Sequence, residues 1–314
     1  MKIASLISVA LLLLIAAEKP VNFIPAKPDP LAGDYKASDM VAQVVATGAD
    51  KYQTVLLKGF DSEEKPIAVL TGEPAALSGG GWSGAIQGSN LLVSKDGQRV
   101  ELEHFDRVSP TLNAKPPEGA VVLFDGKSLD AWAKKAGKDW LKEDGPAPWK
   151  LVDGSAMEVV PGSDCVITHQ KFGDCHLHLE FRTLGAPTNS GVFLQDRYEV
   201  NINETYAHPE SAPQGGLDNC TEGVRPKIRP ALGPLAWQTY DIDFKAPKFD
   251  ASNKKTQAAT MTVLLNGVKI YDNQALDVPH GAAARLGEAP TGPLMLQEHG
   301  MPVQFRNIWL TEAK

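Results

Sequence analysis

The stretch Asn189–Glu204 reads NSGVFLQDRYEVNINE. Its alternation predicts a strand with one dry side, formed by Val192, Leu194, Tyr198, Val200 and Ile202. The other side carries Phe193, Gln195, Arg197, Glu199, Asn201 and Asn203. A carboxylate between an arginine and an amide can take a proton from a polar ligand while its neighbours hold that ligand. The same row can also serve only strand pairing, at roughly 0.2–1 kcal/mol per pair. The run CHLHLEFR places His176, His178, Glu180 and Arg182 on one face; if the two polar faces align, carboxylates and guanidiniums interleave across neighbouring strands. LMLQEHG supplies Gln297, Glu298 and His299, and VQFRN supplies Gln304 and Arg306. His176 and His178 have a spacing that metals use, but a site there would need two more ligands.

These residues sit in a chain of 314, with 43% hydrophobic and 22% charged residues, room for two domains and a globular composition. The net charge of −7 and the lack of a basic stripe exclude nucleic acid and anionic membrane as partners. MKIASLISVALLLLIAA has the order of a secretory signal over 1–17, which predicts export to the periplasm or beyond; an uncleaved anchor is the alternative. The Pro-rich stretch 18–33 reads as an extended linker. Residues 34–112 read as a small β-rich module, with SGGGWSGAIQGSN as a flexible loop presenting Trp82. A second linker follows at 113–119, within SPTLNAKPPEG. Strand-like runs then fill 120–314, apart from weak helical periodicity around Leu129–Leu141.

Asp96-Gly97 and Asn266-Gly267 each lie between apolar runs and predict tight hairpins. Trp237 and Trp309 read as core residues within strands. The whole predicts an all-β chain with a sandwich in its second part. Cys165 and Cys175 flank a turn, and either a disulfide or buried thiols fit them. No phosphate loop, dinucleotide fingerprint or nucleophile elbow occurs, and no cofactor is expected.

LFDGKSLDAW, FGDCHLHLEFR, NSGVFLQDRYEV, LAWQTYDIDFKAPKFD, LNGVKIYDN and GPLMLQEHGMPVQFRNIWL follow one another in this order. Together, over Val121–Trp309, they resemble the 3-keto-disaccharide hydrolase domain family. The resemblance implies a concanavalin A-like jelly roll and an exported sugar-active protein that cleaves the glycosidic bond of a 3-keto-glycoside. A 3-keto group acidifies the hydrogen on carbon 2, so the reaction needs a base, donors to the keto oxygen and an acid for the leaving group. On this reading Glu199, His299 and Glu298 are the catalytic candidates. Arg197, Arg182, Gln195, Asn201, Arg306, Glu180 and Gln297 are the sugar-binding ones. Oxidation of the sugar then belongs to an upstream oxidoreductase. The chain departs from the family pattern at Asn203-Glu204-Thr205 and in the loop beyond it. A carbohydrate-binding module without chemistry, or a ligand-free surface domain, are the competing readings.

Overall fold

The computed structural model describes residues 22–137, 141–217, 220–221, 224–277, 279 and 286–312. The secretory signal falls outside the described residues. Among those described there is no α-helix, and the elements are antiparallel strands.

Eight strands from Gly33–Lys36 to Gln98–Phe105 close into a barrel. Asp96 and Gly97 make the expected hairpin, at φ 51° and 81°. The glycine-rich stretch expected as a loop is instead two paired strands, Ala76–Gly79 and Trp82–Gln87. Gly80 and Gly81 turn between them at φ 58° and 79°. At Gly79 a Cβ would lie 2.0 Å from the Val69 carbonyl, so the small residue lets neighbouring strands close up. Trp82 is correspondingly half-buried against the barrel core and is no free platform.

The second part is a two-sheet sandwich. One sheet runs in the order 150–152, 156–158, Val303–Glu312, Cys175–Thr183, Gln238–Lys245, Thr260–Leu265, Val268–Ala275, with Val121–Phe124 also on Val303–Glu312. The other runs Glu143–Pro146, Trp132–Lys135, Val166–Phe172, Gly292–Leu296, Asn189–Leu194, Tyr198–Asn203. Alternation decides what each strand buries. Leu177, Leu179 and Phe181 from the first sheet meet Val192, Leu194, Tyr198 and Val200 from the second in one core. The weak helical periodicity near Leu129–Leu141 resolves into the strand Trp132–Lys135, with 138–140 outside the described residues. Cys165 and Cys175 form no disulfide; the Cys175 thiol is buried and that of Cys165 partly so.

Both linkers are docked. Ile24–Pro25 pairs with Gly185–Ala186, and the Tyr52 hydroxyl donates to Asp29 at 2.8 Å. In the second, the hydroxyls of Ser109 and Thr239 lie 2.6 Å apart. Thr111 donates to Asp241 at 2.7 Å, and the Ala114 carbonyl accepts from Asn307 and the Trp309 indole. Within this second linker only Lys115–Gly119 is an uninterrupted exposed run. Limited digestion with a glutamate-specific protease is therefore expected to cut after Glu118, and the two fragments should still coelute on gel filtration. Fragments that separate under native conditions would show that the docked contacts do not hold the parts together.

Candidate functional site

The stretch that carries Glu199 is a hairpin. Asn189–Leu194 pairs with Tyr198–Asn203 around a turn at Gln195-Asp196, both at positive φ, 57° and 55°. This left-handed pair matches the twist of a tight hairpin, although glutamine seldom adopts it. Because Phe193 faces Glu199 and Gly191 faces Asn201, the polar face survives the turn. It lies on the outer side of the second sheet, since Tyr198, Val200 and Ile202 fill the core. A floor of Ala133, Ile167, Phe193 and Met295, each at most 1% exposed, runs across that side.

On this floor Glu199 is 2% exposed and Asn201 5%. Gly191 makes room for the carboxylate: a Cβ there would sit 2.6 Å from Glu199 Oε1. Lys135 is also buried, at the end of the strand Trp132–Lys135, with three strands of the sheet between it and the strand of Glu199. Asp196 is fully buried, and its Oδ2 accepts the Leu141 N–H at 3.0 Å. Burial pushes its carboxyl up to about 6, against the pull of the Lys135 ammonium, the Leu141 N–H and the Arg197 guanidinium. Gln195 Oε1, Asp196 Oδ1 and Gln297 Oε1 are buried without a hydrogen-bond partner among the described residues. Such atoms are rare in folded chains and are usually met by water or a ligand.

The other nominated residues have varied placements. Gln195 and Arg197 belong to the turn. Gln195 donates to the Phe172 and Pro290 carbonyls, and Arg197 to the Gly287 and Gln195 carbonyls at 2.6 and 2.9 Å. Arg197 is thus spent on backbone, and burial lowers its pKa. Glu298 accepts the N–H groups of Gly162 and Gly300 at 3.0 and 2.6 Å, which ties two loops together. His299 is exposed beside it. Glu204 accepts from the Thr183 hydroxyl and the Tyr206 N–H, and burial pushes it up to about 7.

Glu180, Arg182 and Arg306 are elsewhere. The strands Cys175–Thr183 and Tyr198–Asn203 lie in different sheets, so their polar faces do not align. Glu180 and Arg182 point to the outer side of the first sheet, with the whole core between them and Glu199. There Arg306 Nε donates to Glu180 at 2.6 Å, and Arg182 Nε donates to Gln304 at 2.7 Å. Both guanidiniums lie over the half-buried Trp237, at 4.1 and 4.7 Å from its ring centre. Trp237 stands just before its strand and outside the core, while Trp309 stacks on His178 at 4.9 Å on this outer side. His176 and His178 each bond an aspartate of the next strand, Asp243 and Asp241, at 2.8 and 2.6 Å. No group of three or more metal-ligating side chains is placed to hold an ion among the described residues.

Asp196 and Lys135 were not singled out by sequence. An acidic residue at a hairpin tip normally reads as solvated, and only the fold shows it buried. Asp196→Asn tests that burial. A carboxyl at 3.8 when unfolded and about 6 when folded costs no stability below pH 3.8. As pH rises through 6 it loses up to about 3 kcal/mol. The variant should match the parent in urea at pH 3.5 and exceed it at pH 8; equal gaps at both would mean a solvated carboxyl.

The family profile described as the 3-keto-alpha-glucoside-1,2-lyase-like domain matches residues 119–311. A crystal structure of a candidate glycosyl hydrolase from Parabacteroides distasonis is 31% identical, covering 63% of this chain and 85% of its own, with a TM-score of 0.53. A second such protein from that organism is 17% identical over 63% of this chain and 95% of its own, with a TM-score of 0.45. No curated protein matches the chain. The 193-residue match is more than half of the chain, and the outer face bearing Glu199 lies wholly within it: the chain is a carbohydrate-active protein and belongs to the 3-keto-alpha-glucoside-1,2-lyase-like domain family.

Proposed function

We propose that the chain is an exported enzyme that cleaves the glycosidic bond of a 3-keto-glycoside, with its reaction site on the outer face of the Glu199 sheet. The observation that supports this most is the buried Glu199 carboxylate on that face, with Asn201 beside it and with the Gln195, Asp196 and Gln297 side-chain oxygens buried without a hydrogen-bond partner among the described residues. A carbohydrate supplies many hydroxyls that can donate to such oxygens.

The Glu199 carboxylate takes the proton from carbon 2. The electron pair left behind is stabilised as an enolate by the 3-keto group, and Asn201, two residues along the same strand face, offers its side-chain amide to that oxygen. The pair then forms the carbon 1–carbon 2 double bond as the bond from carbon 1 to the leaving oxygen breaks. Asp196, held near pH 6 by its burial, can carry the proton that the leaving oxygen takes. Addition of water across the double bond puts hydroxyl on carbon 1 and returns a proton to carbon 2, completing a net hydrolysis. His299, exposed at the loop after Leu296, is the alternative base, whereas Glu298 already holds two backbone N–H groups. The keto group must be made by a separate sugar oxidoreductase.

One observation favours a binding role without chemistry. Arg182, Trp237 and Arg306 form a half-exposed polar and aromatic patch on the opposite outer face. Incubation with a panel of 3-keto-glucosides and their unoxidised parents separates the readings. Release of the aglycone from the keto sugars alone supports the enzyme. Binding of either without release supports the binding module.

A further inference from the structure

The strand Tyr198–Asn203 ends its sheet, so one edge of the strand carrying Glu199 and Asn201 has no neighbouring strand. A long segment, 204–237, closes that edge and contains no strand or helix among its described residues. Its middle lies along the edge. Asn201 donates to the Gly216 carbonyl at 2.9 Å, Gly215 donates to the Asn201 carbonyl at 3.2 Å, and the Cys220 thiol donates to the Glu199 carbonyl at 3.6 Å. A segment this long needs outside fixing to hold one shape.

The barrel supplies it at both ends. At the first end the Tyr206 hydroxyl donates to Asp34 Oδ1 at 2.9 Å, and Gln53 donates to the Ala207 carbonyl at 2.6 Å. Tyr206 and Ala207 also pack on Val41, Val55 and Leu57 of the barrel. At the second end Arg107 donates to the Pro230 and Ala231 carbonyls at 2.6 and 2.8 Å. Its Nε donates to Asp34 Oδ2 at 2.8 Å, and its guanidinium lies 4.1 Å over the Phe60 ring. Asp34 therefore joins the two ends through one carboxylate. Within the sandwich part, Arg229 bonds the carbonyls of His208, Pro209 and Ser211, and Asn266 bonds that of Pro230. These ties gather the segment but do not fix it to the barrel.

We propose that the barrel is a clamp for the wall of the Glu199 site, with Arg107 as its positioning residue. Arg107 touches no reacting atom. It acts by setting where Gly215 and Gly216 lie against Asn201, and so the width of the site beside Glu199. A lysine cannot replace it, because one ammonium cannot reach two successive carbonyls and a carboxylate in the planar fork of a guanidinium.

The test uses the full chain with Arg107→Lys, Arg107→Ala and, from the other side of the joint, Tyr206→Phe. Hydrogen exchange is followed at the amides of Asn201 and Gly215, with the barrel strand Val41–Gly48 as the internal control. Both Arg107 variants should speed exchange at Asn201 and Gly215 by about tenfold or more, as expected when charge-assisted hydrogen bonds are lost. Tyr206→Phe should do so to a smaller extent, and the Val41–Gly48 amides should stay protected. With a 3-keto-α-glucoside as probe, KM should rise more than kcat falls. Unchanged exchange at Asn201 and Gly215 overturns the clamp. If an Arg107 variant also loosens Val41–Gly48, Tyr206→Phe decides, and no change there overturns the clamp as well. The kinetic arm rests on the proposed reaction, while the exchange arm does not. Faster exchange in a protein that cleaves no keto sugar keeps the clamp and removes the reaction.

Discussion

Glu199→Gln is expected to stop turnover of a 3-keto-glycoside while leaving its binding nearly unchanged. Glutamine keeps the shape of the side chain beside Gly191, where there is no room for a larger neighbour. It cannot accept the proton from carbon 2. Loss of a general base typically costs about 10²–10⁴ in rate. The groups that would hold the sugar, Asn201 and Gln297 on the same face, are untouched. Exchange of the carbon-2 hydrogen with heavy water should fall together with turnover, because both begin with the same proton transfer. Release of the leaving group in the parent without such exchange would point to direct displacement in place of elimination. Near-normal turnover in Glu199→Gln would move the base to His299 or Asp196. Exchange of the carbon-2 hydrogen in Asp196→Asn and His299→Ala then tells these apart, since only loss of the true base abolishes it.

What the sequence made legible follows from local rules. Asn266-Gly267 and Asp96-Gly97 announce their hairpins because such residues tolerate positive φ at little cost. Gln195 and Asp196 also turn at positive φ, but in a three-residue connection between Leu194 and Tyr198, so the alternation across it reads as one unbroken strand. The in–out assignment still held, because a hairpin that pairs Leu194 with Tyr198 leaves Glu199 opposite Phe193. Alternation says which side of a strand faces a core, but not which sheet the strand joins. Cys175–Thr183 lies between Gln238–Lys245 and Val303–Glu312, and the Glu199 hairpin pairs with Gly292–Leu296. Both neighbourhoods depend on contacts distant in sequence. That is why Glu180, Arg182 and Arg306 read as partners of Glu199 and fold onto the opposite face. The docked linker has the same origin. Ser109, Thr111 and Asn113 look like loop residues until the first sheet offers them Thr239, Asp241 and Glu180.

Glu180→Gln is accordingly a stability experiment. The carboxylate is fully buried and accepts from Arg306 Nε, Asn307 Nδ2 and the Asn113 N–H, with the His178 ring beside it. Burial pushes its pKa up, but hydrogen bonds from His178, Asn307, Arg306 and Asn113 outweigh that and hold it at about 2. A carboxyl lowered from 4.5 to about 2 contributes stability that is full above pH 4.5 and fades as pH falls toward 2. The shift is worth about 3 kcal/mol, and the loss of one partner from a buried ion pair costs a similar 3–5 kcal/mol. The side chain of Arg306 is 20% exposed, so water recovers some of its charge and the lower end applies. Urea unfolding followed by tryptophan fluorescence, with Trp237 and Trp309 beside the pair, should show the variant about 3 kcal/mol weaker at pH 7. The gap should narrow from pH 4.5 to pH 2, where the parent carboxylate itself becomes protonated. His178, raised by Asp241 and Glu180 against its burial, stays charged in that range and does not mask the effect. A gap of equal size at pH 7 and pH 2 would trace the loss to packing and remove the ionic account of this joint. No gap at pH 7 would mean that Asn113 and Asn307 hold the linker without the charge.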